Sequence, residues 1–336
     1  MSIFDSANGS ARVLVTGATG LVGNNVTRLL LERSIGVRVL TRKRSDPRPF
    51  EGLDVDIVTG DVTDPDSLRA AMDGVSAVIH SAGCVLLGWK NRDLHEQVNH
   101  QGTRHVAQAA CRAGIRMVHV STNNTLGVGT KDRLANEQWA AAQNIPCPYV
   151  TSKQAGEVAV REQIDAGLDA VILHPGLMFG PWDWKPSSGR MILEVARSFT
   201  PMAPTGGCSV CDVRDVADGI LAAMEKAPTG RAYVLAGHNL SYLKLWQLIA
   251  DIAGGSRPLC RSGPLIRLVV GRGGDLWGWL TGREPDVNSA AVKLSDCYHY
   301  FESTRAQQEL GYRMRPVDES IRDAWQWFQN HGYVTA

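Results

Sequence analysis

Residues Arg12-Val13-Leu14-Val15-Thr16 run directly into Gly17-Ala18-Thr19-Gly20-Leu21-Val22-Gly23. The first five form a short apolar, β-branched run that reads as a buried strand. From Leu21 the apolar positions Leu21, Val22, Val26, Leu29 and Leu30 recur at helical spacing through Arg33. Each glycine at the junction has its own use. Gly17 makes the tight turn, Gly20 lets a pyrophosphate approach the backbone, and Gly23 lets helix and strand pack closely. Phosphates held there face free N–H groups at a helix N-terminus, where the dipole favours anions. In this strand–turn–helix setting, Thr16, Gly17, Thr19, Gly20, Leu21, Val22 and Gly23 predict a dinucleotide site.

Strand and helix keep alternating outward from that loop. Strands are expected at Val37–Thr41, Val55–Val58, Ala77–His80, Met117–Val120 and Ala170–Leu173. Helices are expected at Pro65–Met72, Asp93–Ala113 and Tyr149–Ala166. Such alternation implies parallel pairing with right-handed crossovers, an α/β doubly wound sheet. Beyond Gly180 the rhythm breaks into Pro/Trp-rich and Gly/Arg-rich pieces. Helices are expected there at Val213–Lys226, Tyr242–Ala253 and Glu319–Asn330, with a strand at Ala232–Leu235.

The second strand ends Val39-Leu40-Thr41-Arg42-Lys43-Arg44, with no acid before Asp46. A carboxylate there would bind a ribose 2′-hydroxyl, whereas guanidinium groups at Arg42 and Arg44 suit a 2′-phosphate. NADP(H) is therefore expected over NAD(H). Asp61 and Val62 after the third strand are placed to bind adenine, and Ser81, Ala82 and Gly83 after the fourth must pass the cofactor. Tyr149 and Lys153, four apart and just after Pro148, share one helix face. The spacing predicts that the lysine ammonium lowers the pKa of the phenol and so fits it for proton transfer. Ser121 and Thr122, closing the fifth strand, offer hydroxyls to a substrate carbonyl.

With these motifs in place, the chain resembles the extended short-chain dehydrogenase/reductase family, within the NAD-dependent epimerase/dehydratase superfamily. TGATGLVG at Thr16–Gly23, GDV at Gly60–Val62, NHQGT at Asn99–Thr103 and ST at Ser121–Thr122 carry the resemblance. So do YVTSK at Tyr149–Lys153, HPGLMFGP at His174–Pro181, DVRDVA at Asp212–Ala217 and ELGYRMRP at Glu309–Pro316. It looks most like the dihydroflavonol-4-reductase and 3β-hydroxysteroid dehydrogenase branch, and is also similar to hopanoid-associated "sugar epimerase"-like proteins. The resemblance implies Tyr149 as general acid/base, Lys153 on the nicotinamide ribose and Thr122 in the usual serine's place, with Ser121 as a stand-in. It also implies Asn99 in the fourth helix's asparagine position and Pro175, Gly176 and Leu177 against the nicotinamide.

Two departures refine it. Thr122 is followed by Asn123-Asn124, where sugar-nucleotide dehydratases carry an Asp-Glu proton-transfer pair. Leu177 stands where sugar-nucleotide enzymes tend to carry an Asn. Both point to a reductase or alcohol dehydrogenase for a less polar carbonyl, with Trp182, Trp184, Trp277 and Trp279 offering aromatic surface. A sugar or sugar-nucleotide epimerase with tightly bound NAD is the alternative. A catalytically silent NADP-sensing binding protein is the alternative from another class.

Residues 11–178 are expected to form the NADP-binding Rossmann domain, with segments near 208–237 returning to it. Residues 179–207 and 238–336 are expected to form a smaller, loop-rich substrate lobe. Arg261–Pro285 is open between core, substrate mouth and partner surface. A balance of 35 Lys+Arg against 34 Asp+Glu gives no electrostatic basis for nucleic-acid binding. No stretch is apolar enough to span a membrane, and MSIFDSANGSAR lacks the pattern of a signal peptide. The seven cysteines do not make a disulfide framework. Cys208 and Cys211 are expected to be structural, with no metal. His95, His100 and His105, five apart, are expected to be solvated or capping. A cytoplasmic enzyme is the expectation, and the family often forms a homodimer through its two long helices.

Overall fold

A computed structural model describes residues 11–138 and 145–334, so most of the N-terminal stretch read for a signal peptide lies outside the described residues. In chain order the first half runs β1 Arg12–Thr16, α1 Leu21–Glu32, β2 Gly36–Thr41, β3 Asp56–Thr59, α2 Pro65–Met72 and β4 Ala77–His80. The expected long helix follows as α3 Arg92–His95, a π-helical stretch Glu96–Gly102, and α4 Thr103–Ala113. Then come β5 Arg116–Val120, α5 Pro148–Asp165, β6 Ala170–Pro175 and β7 Leu177–Phe179. The rest comprises α6 Gly189–Arg197, β8 Met202–Ala203, β9 Gly207–Asp212, α7 Val213–Lys226, β10 Ala232–Leu235 and β11 His238–Ser241. It continues through α8 Tyr242–Ala253, β12 Cys260–Arg261, α9 Pro264–Thr281, α10 Ser289–Asp296, β13 Tyr298–His299, α11 Thr304–Leu310 and α12 Val317–Asn330.

Seven of these strands make one parallel sheet in the order β10-β6-β5-β4-β1-β2-β3. Alternate side chains serve its two faces. Val13 and Val15 of β1 join a core with α1 and α7, while Leu14 joins another with α2, α4 and α5. Burial on both faces explains why the strands read as unbroken apolar runs. The chain leaves β1 toward β2 and β3, then returns to β4 on the other side. This reversal opens a crevice at the C-terminal ends of β1 and β4, the usual ligand position in such sheets.

A second sheet forms around β9, which pairs with β7 and β13 in parallel and with β11 antiparallel. Its core is shared by α6, α8 and α12 through Ile192, Leu245, Ile249 and Phe328. Two sequence expectations need correction here. The segment expected to be loop-rich holds an 18-residue helix, α9. Its four glycines signal breakage in propensity terms, yet Gly271, Gly274 and Gly278 lie three and four apart on one face, so close packing offsets their poor propensity. Trp182 and Trp184 pack with Trp327 and His331, and the Arg28 guanidinium lies 3.3 Å from the Trp182 ring centroid. Both are partly buried and pack against the second core. Cys208 and Cys211 are buried, unpaired thiols in β9, and burial pushes Cys208 up to about 12. No cluster able to hold a metal exists among the described residues.

Candidate active site

The glycine loop is built for an anion. Gly17 sits at φ +75°, and a Cβ there would meet the Ala82 backbone nitrogen at 2.5 Å. A Cβ on Gly23 would come within 2.4 Å of the Gly17 oxygen, so the helix docks on the turn through this position. Gly20 differs, because a Cβ there would touch only the Gly17 oxygen, at 3.4 Å. The loop is therefore open on the Gly20 side. Gly20 begins α1 with no side-chain cap and no acid in the first turn, which keeps the helix N-terminus available to a phosphate. These features fit a dinucleotide. Thr16 is committed elsewhere, its hydroxyl 2.7 Å from His80 Nδ1, while its carbonyl accepts from the Ser81 hydroxyl at 2.7 Å. Ser81, Ala82 and Gly83 thus stand beside the glycine loop across the switch point.

Arg42, Lys43 and Arg44 are all exposed past the end of β2. The first acid beyond them, Asp46, is held by the Arg48 guanidinium at 2.7 Å, which keeps its carboxyl below the ordinary range. No carboxylate from this turn is therefore free for a ribose hydroxyl. Asp61 accepts from Thr63 through both N–H and hydroxyl at 2.9 Å. Val62 is buried against Gly102.

Pro148 starts α5 and puts Tyr149 and Lys153 one turn apart, both buried. The Thr122 hydroxyl neighbours the Tyr149 phenol and acts on its ionisation, while accepting the Asn124 N–H at 3.3 Å. Burial pushes the phenol up to about 12, with Thr122 pulling the other way. This departs from the lowered value that the spacing predicts. Tyr149 belongs to a small buried cluster with Cys147, Val150 and, from α10, Ala290 and Leu294. The Lys153 ammonium donates to the Val120 carbonyl at 2.9 Å, and burial lowers Lys153 to about 8.

Ser121 and Thr122 have separate partners. The Ser121 hydroxyl donates to Glu157 Oε1, which also lies 3.2 Å from His174 Nε2. Burial pushes the Glu157 carboxyl up, but His174, Ser121 and Thr125 outweigh it and bring it to about 2. Thr122 alone of the two faces the phenol. Asn99 lies in the π-helical stretch, where its amide donates to Cys84 O at 2.9 Å and Ser152 Oγ at 3.0 Å. Its own carbonyl lies against Gly156, where a Cβ would be 2.5 Å away. Pro175 ends β6 in the buried interior, and Gly176 passes β9 so closely that a Cβ would meet the Ser209 oxygen at 2.5 Å. Leu177 packs into the second core.

Two features escape the sequence reading. His95 is buried, 6.3 Å from the Tyr149 ring and edge-on, with Nδ1 3.2 Å from the Asn99 amide nitrogen. The regular spacing of the three histidines hides this, because only the first faces α5. His100 pairs with Glu96 at 2.6 Å, and His105 Nδ1 lies 3.3 Å from Val62 O. Next, β4, β5 and β6 each carry a buried histidine, His80, His119 and His174. Burial, with Lys153 adding to it, lowers His80 to about 3 and also lowers His119. Both rings are thus neutral beneath the lysine. A histidine near the end of three successive apolar strands was the available signal.

A model of the NAD dependent epimerase/dehydratase family matches residues 13–236. The chain belongs to that family. A Synechocystis sp. protein named for dihydroflavonol 4-reductase is 34% identical over 334 residues, covering 95% of each chain. Sterol demethylase protein B of Methylococcus capsulatus is 32% identical, over 96% of this chain and 99% of that one. The crystal structure of gox2253 superposes with a TM-score of 0.84 at 31% identity, covering 97% of this chain and 100% of that one. This epimerase/dehydratase-family chain is a nicotinamide-dependent oxidoreductase, as the reductase and dehydrogenase branch resemblance implies.

Proposed function

We propose that the chain is an NADPH-dependent carbonyl reductase, or in reverse an alcohol dehydrogenase, acting on an apolar or aromatic ketone or aldehyde. The observation that carries it is the Tyr149–Thr122 pair. A buried phenol held at about 12 is protonated at neutral pH, the form needed to give a proton to a carbonyl oxygen becoming an alkoxide. Thr122, beside that phenol, positions the same oxygen. Lys153 holds the nicotinamide ribose, and its positive charge stabilises the phenolate left after proton transfer. A bound nicotinamide supplies the hydride.

Thr16, Gly17, Thr19, Gly20, Leu21, Val22 and Gly23 cradle the pyrophosphate, and Asp61 and Val62 border the adenine. Ser81, Ala82, Gly83, Pro175, Gly176 and Leu177 border the cofactor on the sheet's C-terminal edge. Asn99 acts as a positioning residue by fixing Cys84 and Ser152 around Tyr149. Ser121 is committed to Glu157 and supports the fold beneath the site. Arg42 and Arg44 take the 2′-phosphate, a reading supported by the capture of Asp46 by Arg48. Residues 11–178 with 208–237 serve the cofactor, and 179–207 with 238–336 serve the substrate.

The apolar substrate is supported by Leu177, which cannot bond a sugar diphosphate, and by the flavonol and sterol in the names of two relatives. Seven free cysteines fit the reducing cytoplasm. NADPH oxidation against a panel of apolar ketones and UDP-sugars tests the reading. Turnover of the ketones supports it, and epimerisation of a UDP-sugar without net NADPH oxidation overturns it.

A further inference from the structure

Helix α9 is built inside out for a surface helix. A helix at a protein surface ordinarily turns its large apolar side chains inward and shows polar ones to water. Here the buried positions are glycines. A Cβ on Gly271 would meet the Ser289 Cα at 3.2 Å, on Gly274 the Val287 oxygen at 1.9 Å, and on Gly278 the Pro285 Cδ at 2.9 Å. The large residues point out: Leu265 is 72% exposed and Trp279 75%, and Leu268, Val269, Leu276 and Trp277 are each more than half exposed. So contiguous an apolar face on a folded protein marks an interaction site.

The charges around it have one sign. Arg272 stands within the outward face, Arg261 and Arg283 beside its two ends, and Lys293 on the neighbouring α10; all four are exposed. Among the described residues none of the four has a salt-bridge partner. The acids nearby are engaged. Asp275 accepts from the Ser289 N–H at 3.0 Å, Glu284 from the Lys90 N–H at 2.5 Å, and Asp286 pairs with Arg190. The patch also continues toward the catalytic residues. Val85, Leu86 and Leu87 are exposed in the loop after Cys84, and Asn288 ties that loop to the α9–α10 turn through Leu87 O at 2.8 Å. On its other side the loop is fixed by Asn99, which bonds both the N–H and the carbonyl of Cys84, and α10 shares a buried cluster with Tyr149.

We propose that α9 and the Val85–Leu87 loop form a membrane-docking face that seats the enzyme on an anionic bilayer surface. Leucine, valine and tryptophan enter the interface between headgroups and acyl chains, and no helix among the described residues is long and apolar enough to cross the bilayer. The cations sit at headgroup level, where each Lys or Arg near an anionic surface adds attraction. Arg272 separates this occupant from a second copy of the chain. In a lipid interface it extends its stem along the apolar face and keeps its guanidinium among phosphates. In a two-fold dimer through α9 it would be buried without a carboxylate, facing a surface of its own sign.

The face is independent of the redox reading, so its test needs no turnover. Full-length protein is sedimented with sucrose-loaded vesicles of pure phosphatidylcholine, or of phosphatidylcholine with one-quarter phosphatidylglycerol. The wild type should pellet with both and more strongly with phosphatidylglycerol, the excess falling at high salt. Leu276→Glu/Trp279→Glu should reduce partitioning at least about tenfold, with melting temperature and NADPH affinity unchanged. Arg272→Ala/Arg283→Ala should remove the preference for the anionic vesicles. Wild-type protein that stays in the supernatant with both vesicles overturns the proposal, as does a double glutamate variant that pellets normally. A dimer in sedimentation velocity that the glutamate pair dissociates, without vesicle binding by the wild type, assigns the face to a second copy instead.

Discussion

Ser121 and Thr122 are adjacent hydroxyls with different partners, so replacing each alone should separate stability from chemistry. Glu157 is buried at about 2 against an ordinary 4.5. At ~1.4 kcal/mol per unit this shift is worth about 3 kcal/mol to the fold at neutral pH. Because the folded pKa is depressed, that stability is present above 4.5 and is lost as pH falls through about 2. His174, Ser121 and Thr125 share it as hydrogen-bonding partners. Ser121→Ala removes one donor from a buried carboxylate and should cost about 1–3 kcal/mol in urea unfolding at pH 7. It should also move the acid-unfolding midpoint upward while leaving kcat unchanged. Thr122→Val removes the hydroxyl beside Tyr149 and should lower kcat by about 10²-fold, with NADPH affinity near wild type. It should also cost about 0.5–2 kcal/mol in unfolding, because that hydroxyl caps the Asn124 N–H. Equal loss of kcat in the two variants would refute this division of labour. So would a Thr122→Val enzyme that turns over at the wild-type rate.

Other expectations follow from single residues. NADPH should bind at least about tenfold tighter than NADH, a difference of ~1.4 kcal/mol, and Arg42→Ala should erase it; equal wild-type affinities in titration calorimetry contradict it. Gly20→Ala should fold normally, because its Cβ meets nothing closer than 3.4 Å, yet lose NADPH affinity by filling the cradle. Gly17→Ala should instead lower the melting temperature, since its Cβ would collide with Ala82 at a positive φ. Glu157→Gln should flatten the acid limb of stability below pH 4.5, read by urea unfolding across pH.

Much of the frame was legible because its signals are local. The glycine loop, the apolar strand runs and the Pro148-Tyr149…Lys153 helix start depend on neighbours within a few positions. Helix α2 and helices α7 and α8 fall at the expected residues for the same reason. What stayed hidden depends on distant partners. The phenol's pKa is raised by burial in a cluster that includes α10, more than a hundred residues along the chain, and the lysine one turn away is not among its causes. His95 differs from His100 only in which helix it faces. Trp182 and Trp184 read as a binding surface in sequence, and only the distant Trp327 and His331 show that they also pack into the second core. Helix α9 reads as broken because its glycines look like interruptions, and only their packing against Val287, Ser289 and Pro285 shows why they are there.

The central claim is hydride transfer to an apolar carbonyl with Tyr149 as the acid. It is tested most directly by following deuterium from C4-deuterated NADPH into the product alcohol by mass spectrometry, in wild type and Tyr149→Phe. The account predicts deuterium on the carbinol carbon in the wild type and formation at least about 10²-fold slower in the variant, with NADPH affinity retained. Unlabelled ketones throughout, alongside epimerisation of UDP-glucose by an enzyme that keeps its NAD, would contradict it.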